Sequence, residues 1–123
     1  MTELQEVLDS QKTSRIVING MLEKKAQEVV MIDLKEISNA VADYFIICSG
    51  GSDIQVDAIA ESVEEAMNKQ VGVNPWRKEG GDNKEWILLD YADVVVHIFN
   101  KEKRAFYGLE KLWGDAVITS IES

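Results

Sequence analysis

Hydrophobic positions follow two periods along this chain, and the change between them marks out the elements. Thr2 and Gln5 form a cap-like pair before Leu4, Val7 and Leu8, which predicts a short first helix interrupted by Gln11, Ser14 and Arg15. A second helix is predicted from about Thr13 to Lys25, with Val17, Ile18, Met21 and Leu22 on one side and Gly20 as its weak point. The runs "EVVMIDL" (28–34) and "DYFIICS" (43–49) are short and rich in β-branched and aromatic residues, so both read as interior strands. Ser52 and Gln55 repeat the cap spacing and open a helix carrying Ile54, Ala58, Ile59 and Val63 to about Asn68. Beyond "VGVNPWRKEGGDNK", which leaves room for a short strand, "EWILLD" (85–90) and "VVVHIF" (94–99) flank "YAD" as a hairpin. If Tyr91 and Ala92 form the loop, Trp86 faces His97 and Asp90 faces Asp93.

The last pattern is the least regular. "KRAFYGLEKLWGDA" (103–116) predicts a short amphipathic helix that turns Ala105, Leu109 and Leu112 toward the core. Phe106, Tyr107 and Trp113 are left on its flanks, more aromatic surface than such a helix easily buries. The expected order is α, α, β, β, α, possible short β, β, β, α: one α/β domain over residues 1–123, a mixed β-sheet flanked by helices.

Composition narrows the function classes. With 22 acidic against 13 basic residues the net charge is −9, which disfavours extensive contact with nucleic acid and favours a basic protein partner. The single cysteine, Cys48, excludes an internal disulfide and fits a reducing compartment. The opening residues resemble neither a secretory signal nor a transit peptide, and no apolar run approaches membrane-spanning length, so a cytoplasmic protein without a membrane segment is expected.

Catalytic constellations are sparse. "CSGGSD" lacks the G-x-S-x-G spacing of a nucleophile elbow; as a phosphate cradle it places Asp53 and Asp57 where an anion would sit. A glycine turn with a Ser52 cap accounts for it better. A nucleotidyltransferase would need two carboxylates for magnesium on a following strand; the candidates, Asp90 and Asp93, are badly spaced for that. His97, the sole histidine, lies roughly 13 Å from Asp93 along one strand, too far for an acid–base couple, and no zinc or Cys–His site is supported. What remains is surface chemistry: of Trp76, Trp86 and Trp113, Trp86 is the natural core residue and Trp76 the one expected to be exposed.

Three ordered stretches, "ADYFIICSGGSDIQVDAIAE", "EGGDNKEWILLDYADVVVHIF" and "RAFYGLEKLW", closely resemble the ribosomal silencing factor (Iojap-like) family, over a core of about residues 15–116. The resemblance implies a nucleotidyltransferase-like α/β fold without catalytic residues: not an enzyme, and without cofactor or metal. It implies binding to a protein of the large ribosomal subunit at the intersubunit face, steric blocking of small-subunit association, repression of translation, and a homodimer when free. The implied partner-binding positions are Trp76, Tyr91, Asp93, His97, Arg104, Tyr107, Glu110, Lys111 and Trp113. The alternative is a nucleotidyltransferase-like enzyme or nucleotide-binding protein using "SGGSD". Gly108 departs from the polar residue the family commonly carries there and weakens a continuous helix.

Overall fold

The computed structural model describes residues 9–80 and 83–121. The short first helix expected around Leu4 to Leu8 falls outside them. Elements follow in the order α1 (Ser10–Glu23), β1 (Gln27–Asp33), β2 (Tyr44–Gly50), α2 (Asp53–Val71), β3 (Arg77–Glu79), β4 (Trp86–Asp90), β5 (Val94–Asn100), α3 (Arg104–Tyr107), α4 (Leu109–Leu112) and β6 (Val117–Ser120). The six strands form one sheet in the order β3-β4-β5-β2-β1-β6. Only β2 and β5 run parallel; the other neighbours are antiparallel. The mixed sheet flanked by helices is the expected architecture, with a sixth strand, β6, that the expected order does not include.

All seven residues of β2 and six of the seven in β5 are buried, as a strand covered on both faces requires. Side-chain alternation divides the core in two. Tyr44, Ile46, Cys48, Val94, Val96 and Ile98 face α1 and α2, while Phe45, Ile47, Val95 and Phe99 face the opposite side, where Leu109 from α4 meets them.

Both long helices are capped as their sequences suggest. Asp9 accepts from the Lys12 amide at 2.8 Å, placing the start of α1 three residues before Thr13. Ser52 accepts from the Gln55 amide at 3.1 Å, and the Gln55 side chain accepts in turn from the Gly51 amide at 2.6 Å, so the S-x-x-Q pair works as a reciprocal cap. The expected stripe on α2 is rotated, however. Ile54 is 83 % exposed, and Val56, Ile59, Ala60, Val63 and Met67 form the buried face. Gly20 is likewise a packing device: a Cβ there would sit 3.0 Å from the Val63 Cα, and the Ser62 hydroxyl donates to the Gly20 carbonyl at 2.7 Å. The α1–α2 crossing is close because no side chain stands at its centre.

The hairpin register differs by two from the one expected. Tyr91, Ala92 and Asp93 all lie in the turn, so Trp86 pairs with Phe99, Leu88 with His97 and Asp90 with Val95. Ala92 sits at φ 72° with its amide held by the Asp90 carboxylate at 2.8 Å. A non-glycine residue in that left-handed region is uncommon, which is why Tyr-Ala does not read as a turn of this shape.

The terminal segment also departs from a single helix. Gly108, at φ 59°, ends α3 and starts α4, splitting the stretch into two pieces of four residues each. Ala105 and Leu112 are consequently exposed and only Leu109 of the three expected core residues is buried.

For Gly20→Ala, the helical preference of alanine, worth up to about 1 kcal/mol, opposes an overpacking cost of about 1–3 kcal/mol against Val63. A net loss of about 1 kcal/mol is expected in urea unfolding; a more stable variant would show that the crossing tolerates a methyl group.

Candidate functional site

On the sheet face opposite α1 and α2, alternation along β4 and β5 lines up Trp86, His97 and Phe99. Phe45 of β2 joins them at 4.6 Å from the His97 ring, and Tyr107 of α3 packs 4.7 Å from Trp86. Trp113 meets Phe45 edge-on at 5.8 Å. Six aromatic side chains thus do the work that a full helix does on the other face, each pair adding about 0.5–1.5 kcal/mol beyond its buried area.

Hydrogen bonds fix the geometry of this layer. Trp86 Nε1 donates to His97 Nδ1 at 3.0 Å, a diagonal contact across the ladder. Because indole is a donor only, His97 must carry its proton on Nε2 and be neutral. Nε2 is itself buried without a partner among the described residues, as is Trp113 Nε1. Burial pushes the imidazole pKa from 6.5 down to about 3. The Tyr107 hydroxyl donates to Glu85 at 2.9 Å, a bond that, with burial and the carboxylate's charge, raises the phenol above its ordinary pKa.

A second anchor holds the other end of the segment. Arg104 places Nη1 2.6 Å from the Glu28 carbonyl and 2.9 Å from the Ser49 hydroxyl. Its Nε and Nη2 grip both oxygens of Glu110 at 3.1 and 3.0 Å. Glu28 can offer its carbonyl because β1 shifts register between Gln27 and Val30, with Glu28 at φ 50°.

The nine expected positions therefore separate. Trp76 is 68 % exposed, as expected, and Asp93 and Lys111 are exposed too. Tyr91, Tyr107, Glu110 and Trp113 are half-buried. His97, 3 % exposed, and Arg104, 8 % exposed, are buried, the one by its central place in the sheet and the other by four hydrogen bonds to Glu28, Ser49 and Glu110. Tyr107 and Trp113 share the aromatic layer with His97; Trp76, Tyr91 and Asp93 lie at the far end of β4, roughly 13 Å along the strand from Trp86.

Four surface residues escape the sequence pattern. Phe106, 79 % exposed, and Leu112, 73 % exposed, are expected on a flank and in the core only while Gly108 counts as a weak point and not as a break. Half-buried Leu88 lines a depression of about 160 Å³ with Glu79, Gly80 and Trp86. Arg77 lies 5.5 Å from the Trp76 ring centroid and pairs with Glu79 at 3.2 Å. Alternation along β3 and β4 would place Arg77, Glu79 and Leu88 on one face, given the register of the third strand.

Nucleotidyltransferase chemistry finds little here. Asp90 accepts from Trp76 Nε1 at 3.0 Å and from Ala92, and lies 3.7 Å from Arg77. Its carboxylate is committed to holding the turn, while Asp93 is exposed. The "SGGSD" stretch is occupied by its own cap: Gly51 donates to Gln55, and Asp53 accepts from Asn100 at 3.3 Å. Cys48 is fully buried, which raises its thiol pKa and leaves it as core filler.

The described residues thus form a small acidic α/β domain in which Trp76 and Phe106 stand exposed beside a layer of packed aromatic rings. The family profile "Ribosomal silencing factor during starvation" matches residues 7–123, and the chain belongs to that family. A ribosomal silencing factor of Halalkalibacterium halodurans is 43 % identical over 115 residues, covering 94 % of this chain and 97 % of that protein. One from Bacillus subtilis is 44 % identical over 100 residues, covering 81 % and 83 %. A crystal structure of a Chromobacterium violaceum protein superposes with a TM-score of 0.81 at 32 % identity, covering 87 % of this chain and 88 % of that one. These names give a regulatory, ribosome-related role.

The depressed His97 pKa sets an acid sensitivity. Unfolded histidine takes up a proton near pH 6.5 while the folded side chain does so only near 3, so stability falls as pH drops through the window between. Between pH 6.5 and 5, above most carboxylate titration, a loss of about 1.5 kcal/mol is expected from urea midpoints. His97→Gln, which keeps an acceptor for Trp86, should flatten that slope; identical acid slopes would show that the imidazole is not held neutral.

Proposed function

We propose that this chain, acting as one domain over residues 1–123 with its core at about 15–116, binds the large ribosomal subunit through a basic ribosomal protein at the intersubunit face. Bound there, it obstructs the small subunit sterically and represses translation in the cytoplasm, without catalysis, cofactor or metal. Its −9 charge suits a basic protein partner and limits direct contact with rRNA. When free it forms a homodimer.

The observation that carries this reading is the exposure of large apolar side chains on a braced support. Trp76 at one end of β4 and Phe106 at the other bracket the half-buried Trp86, Leu88 and Tyr107, with Glu79 and Glu85 beside them. Aromatic anchors held rigidly, among carboxylates that complement a basic surface, are the features that concentrate binding energy at protein interfaces. Tyr91, Asp93, Lys111 and Trp113 complete the proposed contact set. His97, Arg104 and Glu110 contribute by fixing the segment that carries it.

Trp76→Ala and Phe106→Ala remove exposed side chains, so folding is expected to persist while affinity for purified large subunits drops about tenfold for each. Co-sedimentation at increasing salt measures this, and binding should weaken as salt rises. Large subunits that bind both variants at full strength, or that still join small subunits when saturated with the wild-type chain, would defeat the proposal.

A further inference from the structure

The opposite face of the sheet carries a second feature that the docking role does not use. Gln11, Ser14, Arg15 and Ile18 lie on one side of α1 at helical spacing. With Met31 of β1 and Tyr44 of β2 they enclose a cavity of about 270 Å³. Three properties set it apart.

First, the Ser14 hydroxyl lines the cavity, is buried at 3 % exposure and has no hydrogen-bond partner among the described residues. A buried hydroxyl left unsatisfied is uncommon in folded chains and calls for an explanation, such as a partner from outside. Second, no carboxylate is among the described lining residues, although the chain as a whole has 22 acidic residues. Arg15, exposed at the rim, makes no ion pair among the described residues. Lys35 donates to the Tyr44 oxygen at 2.7 Å, adding a second cationic group near the cavity and leaving the phenol proton free to donate. Asp33, 3.9 Å from Lys35, and Asp43 are the acids beside that cation. Third, the remaining walls are apolar, from Ile18, Met31 and the Tyr44 ring.

Hydroxyl, guanidinium and amide donors around an apolar floor are complementary to an anion with a hydrocarbon body. We propose that this cavity is a binding site for a small organic carboxylate, whose oxygens take hydrogen bonds from Ser14 and Arg15 while its apolar part rests on Ile18, Met31 and Tyr44. A ligand of this size would be held at the α1–sheet junction, on the face away from Trp86 and Tyr107. The site is therefore separate from the ribosome docking proposed above, and either can fail without the other.

The test uses the full chain, isotopically labelled, titrated with 3-phenylpropionate and with its uncharged amide while backbone amide shifts are followed. With about eleven heavy atoms the acid should bind in the millimolar range. Saturable shifts are expected at residues 11–18, Met31 and Tyr44, with the amide weaker by about threefold or more, the screened remainder of a charge-assisted hydrogen bond at an exposed arginine. Arg15→Gln, at an exposed position, should fold normally and abolish the preference for the acid; Ser14→Ala should weaken both compounds. Shifts that map elsewhere or fail to saturate, an amide that binds as tightly as the acid, or full binding by both variants would overturn the assignment.

Discussion

The parallel pairing of β2 with β5 dictates most of the structure around it. Two adjacent strands whose side chains are buried on both faces need two covers, each removing apolar surface from water at about 25 cal/mol per Å². One cover is ordinary: α1 and α2, of 14 and 19 residues, cross closely at Gly20 and Ser62 and carry long apolar faces. The other is made from the β1–β2 connection, through Leu34, Ile37, Ala40 and Ala42, and from the stretch after β5 that forms two four-residue helices. Aromatic side chains make up the shortfall, because each ring covers more sheet than an aliphatic group and needs few backbone atoms to position it.

Covering a face with so little backbone has two structural consequences. The segment cannot hold itself by helical hydrogen bonds alone, so Arg104 ties it to β1, β2 and α4 at once, and Tyr107 ties it to Glu85. Its outward side chains also have nothing further to pack against. Phe106 and Leu112 stay exposed for that reason, so a cover for the core and an exposed apolar surface arise from the same short stretch. The proposed docking role thus uses residues that folding has already placed and stiffened, which lowers the entropy lost on association.

Much of this was legible in the residues. Four strands and both long helices are foreshadowed by apolar runs and by the Ser52–Gln55 cap, and the exposure of Trp76 by its charged surroundings. The misses have physical causes. The α2 stripe includes Ile54 by hydrophobicity, but the approach of α1 at Gly20 sets the rotation, and that contact is non-local. The hairpin register is displaced by two because Ala92 occupies a left-handed conformation that alanine rarely advertises. Strand β6 has four residues, all exposed, so no alternation of burial could betray it; its partner β1 supplies the reason it forms. His97 and Arg104 carry polar side chains that suggest surface chemistry, and only the three-dimensional packing reveals that their partners are internal.

The burial of His97 also fixes how the surface can be modulated. It is the chain's one histidine, and histidine is the side chain whose unperturbed titration falls between pH 5 and 8. Held neutral by its place in the sheet and by the indole of Trp86, it removes that titration from the aromatic face. The charge presented there comes from carboxylates and basic groups such as Glu79, Arg77 and Lys111. A complex formed through this face would respond to ionic strength, which screens the acidic–basic attraction, and to the supply of its partner, but hardly to small changes in pH. The same burial makes the fold itself the pH-sensitive element, since below about 6.5 protonation favours the unfolded chain. Mild acid would therefore weaken the fold that supports this surface.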